Sequence, residues 1–453
     1  MRTGTRHRGH YAAASAVLGL LLVTAAGTPA HAESTREEQW FLDAMKAEQM
    51  WQTSTGEGVT VAVIDTGVNP DNPDLKGRVL PGKDLAPDQP GDEHTDYEGH
   101  GTGMAGLIAG TGAYGGGNGA FGLAPGAKIL PIRLPNADTA ANLAEAEERF
   151  NKAVAPAIRY AADKGTKVIN ISQAATEGSP QLTAAVKYAL GKGSLIFAGV
   201  GNNGGGANEV MYPAATPGVV GVAAVGKDLR RTAESEHGPQ VDMAAPGEDM
   251  VHACDSETGL CRGHGTSDAT ALASASAALI WAEHPSWTNN QILRVMLNTV
   301  GTPTDGAERN DSIGYGIVRP RVALQDPGDP GPADAYPLPD LAAAASKSPS
   351  PQTSETAGTD APVKDDDSVA TASAATEGST LWVAVGTGAV VLLGAAIAVF
   401  AVVRRRRARS AALPTSTPAA DQLTRAPIGF TPHSHTPPGT SDSAPSDRGP
   451  GAT

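Results

Sequence analysis

An uncharged run near the C-terminus places the strongest constraint on this chain. Residues 381–403, LWVAVGTGAVVLLGAAIAVFAVV, contain no charged side chain, and arginines occupy positions 404–407 and 409. A helix of this length reaches roughly 35 Å at ~1.5 Å per residue, which is enough to cross a hydrocarbon core of ~30 Å. Basic residues mark the cytoplasmic end of such a span. We therefore expect a single transmembrane helix with its C-terminal side in the cytoplasm; a buried core helix is the alternative.

A shorter apolar run lies near the N-terminus. It covers residues 12–23, follows three arginines within the first eight residues, and precedes the small-x-small triplet AHA at 30–32. This order is typical of a secretory signal peptide, and the run is too short to span a bilayer. We expect a signal peptide at 1–32, with an uncleaved membrane anchor as the alternative. The part of the chain between the two apolar runs is then extracytoplasmic.

Composition separates the folded part of the chain from the rest. Residues 326–380 and 404–453 are rich in Pro, Ala, Ser, Thr and Asp, and they contain too few large apolar side chains to form a core. We expect a disordered linker at 326–380 and a disordered cytoplasmic tail at 404–453. One folded domain remains at 44–325, after a short N-terminal extension at 33–43. The net charge of −14 argues against a nucleic-acid-binding protein, which usually has a basic face.

Strand-like apolar runs alternate with alanine-rich helical stretches inside the predicted domain. The expected strands are 59–64, 128–133, 167–171, 194–200 and 219–225, and the expected helices are 100–110, 141–164, 181–190 and 267–283. This alternation predicts an α/β fold with a doubly wound, mainly parallel sheet and helices on both faces. In such a sheet, functional residues gather beyond the carboxyl ends of the strands.

Four polar residues lie at expected strand ends or helix starts. Asp65 follows the first strand, His100 begins a helix between two glycines, Asn202 follows a strand in a glycine-rich loop, and Ser267 begins a helix. Each has a structural interpretation when taken alone, as a strand-end cap, a structural histidine, a turn asparagine or an N-cap serine.

Together these four residues supply the groups that acyl transfer by a serine nucleophile requires. A serine hydroxyl needs a histidine to take its proton, and the histidine needs a buried carboxylate to fix its tautomer. An asparagine amide can donate to the oxyanion that develops on the substrate. The chain order of Asp65, His100 and Ser267 is one of the known orders for such a triad. The set therefore predicts nucleophilic catalysis by Ser267.

Several longer motifs resemble those of the subtilisin-like serine proteases. They are VAVIDTGV, HGTGMAGLIAG, GLAPGAKI, VINIS, GN at 201–202, YPAA at 212–215, MAAPG at 243–247 and GTSDAT, and they extend over roughly 44–322. The resemblance implies a subtilisin-like fold, a catalytic triad of Asp65, His100 and Ser267, and Asn202 as oxyanion donor. It also implies a substrate-binding strand at Ser172-Gln173-Ala174. No cofactor or metal ion is expected.

The layout of the whole chain, with WTNNQILRVMLNT at 287–299, looks like the mycosin subgroup, which is associated with type VII secretion. That resemblance implies a membrane-anchored extracytoplasmic serine endopeptidase that processes secreted proteins. Its partners would be polypeptide substrates, the membrane and a type VII secretion complex. The alternative is a catalytically weak scaffold of the same fold that stabilises such a complex.

The chain departs from the subtilisin-like pattern at two places. Asp268 stands where an apolar residue usually follows the nucleophile, and Ala271 stands where a proline is usual. A carboxylate at 268 would favour the protonated form of His100. In the substrate-binding strand, Gln173-Ala174 replaces the usual Leu-Gly, so a narrower specificity pocket is expected.

Three further expectations concern the rest of the domain. Cys254 and Cys261 lie seven positions apart in an exported domain, so we expect a disulfide, with two free thiols as the alternative. The extension at 33–43 is too short to fold as an inhibitory domain. We expect it to pack on the enzyme through the apolar residues at 40–42, and a frayed terminus is the alternative. The polar residues at 94, 96 and 98 are interpreted as a solvated loop, with a metal or substrate-charge role as the alternative.

Overall fold

The computed structural model describes residues 34–254, 256 and 258–347. The chain divides into two units, Met1–Ser354 and Glu355–Thr453, and every described residue belongs to the first. The expected signal peptide, the apolar run at 381–403 and the tail at 404–453 lie outside the described residues. Among the residues that are described, no helix has the length and apolar character needed to cross a membrane.

Strands and helices alternate along the described part of the chain. The strands are β1 (Thr60–Asp65), β2 (Lys83–Asp84), β3 (Lys128–Arg133), β4 (Val168–Ile171), β5 (Leu195–Gly199), β6 (Val220–Val225), β7 (Met243–Pro246), β8 (Met250–Ala253) and β9 (Leu260–Gly263). The helices are α1 (Thr35–Glu38), α2 (Trp40–Met45), α3 (Ala47–Trp51), α4 (His100–Ala109), α5 (Leu143–Asp163), α6 (Pro180–Gly191), α7 (Thr266–Glu283), α8 (Asn289–Asn298), α9 (Pro320–Gln325) and α10 (Asp340–Lys347).

Seven of the strands form one sheet in the order β2-β3-β1-β4-β5-β6-β7, and every neighbouring pair is parallel. The chain runs from β1 to the edge strand β2, returns to β3 beside β1, and then crosses to β4 on the other side of β1. The order therefore reverses next to β1, which is where a doubly wound sheet opens a crevice. The predicted α/β fold with a doubly wound, parallel sheet is confirmed.

Each face of the sheet is covered by its own hydrophobic core. Along β1, Val61 and Val63 face the core that contains residues of α4, α7 and α8, whereas Ala62 and Ile64 face the core that contains residues of α5 and α6. Successive side chains of a strand point to opposite faces, so a strand covered on both sides must be apolar throughout. This is why β1 reads as a continuous apolar run.

Helix α7 passes through the larger core. Between Thr266 and Trp281 every residue except Ser267 is buried. Such a helix cannot have a polar face, and its run of small alanine and serine side chains lets the neighbouring strands approach closely. Ser267 is therefore the one position on this part of α7 from which a side chain can reach solvent or a ligand.

All nine predicted strands and helices are present, and their ends lie within two residues of the predicted ones. The sequence analysis did not assign β7, β8 or β9. Each of these strands has only four residues, so their local apolar pattern is too short to distinguish a strand from a loop. The two cysteines form the expected disulfide, Cys254–Cys261, which links the residue after β8 to the second residue of β9, next to the turn of this antiparallel hairpin.

The N-terminal extension packs against the domain as expected. Phe41 and Leu42 are completely buried, and the Trp40 indole Nε1 donates to the carbonyl of Glu248 at 2.8 Å. The buried Gln39 amide adds hydrogen bonds to the loop before β3 and to β8. The extension is therefore part of the folded domain.

This packing predicts the result of shortening the chain. A chain that begins at Asp43 loses two fully buried apolar side chains, so we expect it to be less stable by about 3 kcal/mol or more. Thermal unfolding should show a lower Tm, and activity per folded molecule should not rise. As a matched pair, Leu42→Ala should lower Tm, whereas Leu143→Ala should not, because Leu143 is 72% exposed. A large gain in turnover on truncation would identify the extension as an inhibitor instead.

The folded region extends past the expected domain boundary at 325. Residues 326–347 were assigned to the disordered linker, yet they pack on the domain and end in α10. Arg294 of α8 donates to the carbonyls of Pro330 and Ala335 at 3.2 and 2.8 Å, and Leu338 is 3% exposed. The prediction rested on the small number of apolar side chains in this segment. It did not consider the main-chain carbonyls, several of which can accept hydrogen bonds from a single arginine. The linker assignment is wrong for this part.

Candidate active site

Three of the predicted site residues follow the carboxyl ends of adjacent strands. Asp65 ends β1, Ser172 follows β4 directly, and Asn202 lies three residues after β5. Because β1, β4 and β5 are consecutive, parallel neighbours in the sheet, these residues lie at one edge. The start of α7 lies at the same edge, where residues 266 and 267 contact Asn202 and Ser172.

Asp65 and His100 form a short hydrogen bond. The distance from His100 Nδ1 to Asp65 Oδ1 is 2.7 Å, and Asp65 is completely buried. Asp65 Oδ1 also accepts the N–H of Thr66 at 2.8 Å. A carboxylate only accepts, so Nδ1 carries the hydrogen and Nε2 of His100 is left to receive a proton.

The start of α4 is held by a carboxylate four residues before His100. The N-cap residue, Gly99, has no side chain to cap the helix. Asp96 takes its place: Oδ1 accepts the N–H of Gly99 at 2.8 Å, and Oδ2 accepts the N–H of Thr102 at 2.7 Å. Thr66 completes the arrangement, since its hydroxyl donates to Asp96 and accepts the N–H of Gly101. Asp96 therefore fixes the position of His100.

This result corrects the interpretation of the loop before His100 as simply solvated. The sequence did contain a signal for this capping contact: the predicted helix starts directly after a glycine, and an aspartate lies a few residues earlier. Of its other polar residues, His94 Nε2 lies 3.2 Å from the Leu80 carbonyl, and Glu98 is close enough for its charge to act on His100. No group of three histidine, cysteine, aspartate or glutamate side chains that could hold a metal ion occurs among the described residues.

Ser267 faces the end of β4. Its hydroxyl donates to the carbonyl of Ser172 at 3.2 Å, and the hydroxyl of Ser172 donates to the carbonyl of Ser267 at 3.3 Å. A hydroxyl has one proton, so in this resting arrangement Ser267 does not donate to a histidine. Hydrogen bonds between catalytic groups often form only once substrate is bound, so this arrangement is compatible with a reactive Ser267.

The side chain of Asn202 is oriented by the start of α7. Its Oδ1 accepts the backbone N–H of Thr266 at 2.8 Å and the hydroxyl of Thr266 at 3.0 Å. Since the amide oxygen is occupied in this way, the NH₂ group is left to donate elsewhere. Asn202 is exposed, so that donor is available to a ligand.

Charges near His100 dominate its acid–base behaviour. Burial by itself lowers the pKa of His100, because the imidazolium loses hydration. The charge of Asp65 and the hydrogen bond to it raise the pKa, and so do the charges of Asp268 and Glu98. The net result is a pKa of His100 raised to about 9.

The unusual Asp268 has a histidine partner that the sequence analysis did not identify. Asp268 and His252 are both buried, and Asp268 Oδ1 lies 3.9 Å from His252 Nε2. The Nδ1 of His252 donates to the carbonyl of Ala253 at 2.9 Å. Burial raises the pKa of Asp268, and the charges of His252 and His100 lower it. His252 lies on β8, a strand without a recognisable local pattern, so no signal pointed to it.

The residues of the expected substrate-binding strand are partly exposed. Ser172, Gln173 and Ala174 are half-buried, between the buried Ile171 and Ala175. The Gln173 side chain hydrogen-bonds to the hydroxyl of a tyrosine at position 97. The segment is thus accessible on one side, and the long side chain of Gln173 is held close to the loop that precedes His100.

Comparison with known proteins agrees with this geometry. Residues 56–316 match the sequence model of the Subtilase family. An intracellular serine protease from Paenibacillus polymyxa is 34% identical over 215 residues, which are 46% of this chain and 63% of that protein. The chain thus spans less than two thirds of the length of this relative.

Similar solved structures include the serine protease MycP1, an essential component of the type VII (ESX-1) secretion system, with a TM-score of 0.54 and 31% identity over 64% of this chain and 88% of that one. MycP1 from Mycobacterium smegmatis has a TM-score of 0.56 and 30% identity, and the match covers 66% of this chain and 87% of that one. A chain of the periplasmic assembly from the ESX-5 inner membrane complex has a TM-score of 0.57 and 28% identity, with 66% and 88% covered.

Proposed function

The chain belongs to the subtilase family, and on that premise we propose that it is a serine endopeptidase with Ser267 as nucleophile, His100 as general base and Asp65 as the group that orients His100. The observation that carries this proposal is the 2.7 Å hydrogen bond between buried Asp65 and His100, at the sheet edge where α7 begins. That bond leaves Nε2 of His100 as the available base.

The reaction proceeds in two stages. The Ser267 hydroxyl oxygen attacks the peptide carbonyl carbon while its proton moves to Nε2 of His100, and the oxyanion accepts hydrogen bonds from the Asn202 NH₂ and from the backbone N–H of Ser267. The peptide C–N bond then breaks as His100 returns the proton to the leaving amine, which leaves an acyl-enzyme. A water molecule, deprotonated by His100, releases the acid and restores Ser267.

The peptide substrate lies extended along residues 172–174. Pairing there uses main-chain hydrogen bonds, so it accepts the change from Leu-Gly to Gln173-Ala174. Ala174 places a Cβ where the pattern has glycine, and this reduces the space for the substrate residue that precedes the cleaved bond. We therefore infer a preference for small side chains at that position.

The enzyme acts outside the cytoplasm, anchored by the helix at 381–403. The uncharged run with its following arginines supports the anchor. The similarity to MycP1 and to a chain of the ESX-5 periplasmic assembly supports association with a type VII secretion complex, where secreted proteins would be the substrates. A scaffold of the same fold would join such a complex without cleaving peptides.

A reagent specific for activated serines separates the enzyme from the scaffold. The full chain in membranes is treated with a fluorophosphonate probe, and the modified residue is mapped by mass spectrometry. Modification at Ser267 supports the proposal. A folded chain that takes up no probe would support the scaffold.

Topology can be tested on intact cells. We expect an external protease to release the folded domain by cutting within 348–380, since residues up to 347 pack on the domain. The tail after Arg409 should stay protected until the cells are lysed. Cleavage of the tail in intact cells, with protection of 348–380, would reverse the proposed orientation.

The dependence of activity on pH follows from the role of His100. A general base must be neutral, so kcat/KM should rise with pH through the pKa of His100, which lies above its ordinary value at about 9. The Asp268 charge raises this pKa, so Asp268→Asn should move the rising limb to lower pH. The measurement is kcat/KM from pH 5 to 11. A limb that stays in place would mean that Asp268 is uncharged while His100 titrates.

A further inference from the structure

Glu236 is a buried carboxylate that the proposed reaction steps do not use. It lies between β6 and β7 and is only 1% exposed, and its Oε2 atom has no hydrogen-bond partner among the described residues. Burial raises the pKa of Glu236 to about 7; the N–H of Asn203 lowers it, and the charge of Glu209 raises it. An isolated buried carboxylate is costly, so its position calls for a physical explanation.

The explanation lies in the two peptide groups that flank Asn202. The backbone N–H of Glu236 donates to the carbonyl of Gly201 at 2.9 Å, which holds the peptide group before Asn202. The carboxylate of Glu236 also lies close enough to the N–H of Asn203, in the peptide group after Asn202, for this N–H to lower the pKa of the carboxyl group. These two groups set φ and ψ of Asn202, and hence the direction of its side chain.

The local backbone is shaped to bring Glu236 this close. Gly201 has a φ of +114°, and a Cβ atom at this position would lie 2.4 Å from Glu236 Oε2. A residue with a side chain would therefore displace the carboxylate. On the opposite side of Asn202, its amide oxygen is bonded to the N–H of Thr266. Backbone and side chain of Asn202 are thus both restrained, and its NH₂ group alone is left for the substrate.

We propose that Glu236 is a positioning residue for catalysis, which aims the Asn202 amide at the oxyanion by holding both peptide groups around it. This inference rests on the oxyanion role assigned to Asn202 under the proposed function. The backbone contact survives any substitution, but the carboxylate contact is removed when no acceptor remains at position 236. A preorganised hydrogen-bond donor stabilises the transition state less when it is slightly misplaced. Its position must match the oxyanion of the transition state and not the carbonyl oxygen of the bound substrate.

The test compares Glu236→Met with Glu236→Gln in the full chain. Both side chains are similar in length, but only glutamine keeps an oxygen that accepts the Asn203 N–H. We expect Glu236→Met to lower kcat by about 10- to 100-fold with little change in KM, and Glu236→Gln to stay within about threefold of the wild type. Glu234→Gln is the control, since the side chain of this nearby glutamate is partly exposed and lies 3.6 Å from His264. The backbone carbonyl of Glu234, which accepts the N–H of Gly204, is unchanged by the substitution. The kcat of this variant should not change. Titration with the fluorophosphonate probe counts the folded, active molecules in each sample.

A double-mutant cycle with Asn202→Ala identifies the route of the effect. If Glu236 acts through Asn202, Glu236→Met should change kcat by less than about twofold in the Asn202→Ala background. Two results would overturn the inference and leave the role of Asn202 intact. One is a loss of kcat in the double variant equal to the product of the two single losses, and the other is an unchanged kcat per active site in Glu236→Met. An unchanged kcat in Asn202→Ala itself would overturn the oxyanion role and the inference with it.

Discussion

Replacing Ser267 by alanine is expected to lower kcat/KM toward a peptide substrate by about 10⁶-fold. Alanine cannot form the acyl-enzyme, so any remaining hydrolysis comes from the oxyanion donors and substrate binding alone. The change removes one atom from a partly exposed position at the start of α7, where the hydroxyl donates only to the carbonyl of Ser172. The fold should therefore survive, and circular dichroism and Tm should match the wild type.

The matched control for this variant is Ser276→Ala in the same helix. Ser276 is buried, and its hydroxyl donates to the carbonyl of Leu272 one turn earlier. It contacts no group of the proposed site, so its loss should leave kcat/KM within about twofold of the wild type. Equal residual activity in both variants would show that Ser267 is not the nucleophile, and the scaffold would become the better account of the chain.

Asp65→Asn is expected to lower kcat by about 10⁴-fold. An asparagine of the same size can turn its NH₂ group toward His100 Nδ1, which favours the tautomer with the hydrogen on Nε2 and removes the base. It also deletes the charge that contributes most to raising the pKa of His100. The residual activity should therefore show its rising limb at lower pH than the wild type. Pre-steady-state kinetics would locate the loss in acylation.

Asp74→Asn provides the comparison for Asp65→Asn. Asp74 is also completely buried, but its carboxylate accepts the backbone N–H groups of Tyr114 and Ala120, far from His100 in the sequence and outside the proposed site. Loss of one of these bonds should lower the stability by roughly 1–3 kcal/mol and leave kcat per folded molecule unchanged. A similar fall in kcat for both variants would mean that buried aspartates act here through folding alone.

The sequence predicted the sheet well because its strands are covered on both faces. Such strands must be apolar throughout, and that requirement is visible in any window of five or six residues, as in β5 and β6. The hairpin β8–β9 has no such pattern, and its residues owe their conformation to the antiparallel partner. For the same reason His252, in the middle of β8, could not be connected with Asp268 in advance.

The boundary at 325 was misjudged for a different physical reason. Proline, glycine and aspartate at 326–335 indicate a segment that cannot form a core of its own. The segment does not need one, because Arg294 and Gln291 of α8 bind its carbonyls and the single Leu338 fills a buried position. Composition shows only whether a segment can form a hydrophobic core by itself. A folded neighbour can supply the contacts that order a segment without such a core.

The sequence by itself determined which chemical groups the proposed site contains: a carboxylate, an imidazole, an amide and a hydroxyl at the ends of predictable elements. It also determined that two cysteines lie close enough to join. Those features are local, since a strand end, a helix start or a short loop is specified by the residues within it. The tertiary structure decided what surrounds each group. The Thr66 hydroxyl holds the Asp96 carboxylate that caps α4 from 30 residues away, and the backbone N–H of Glu236 holds the Gly201 carbonyl next to Asn202. Such contacts depend on the order β3-β1-β4-β5 of the sheet and on which loops it brings together, and no local pattern encodes that order.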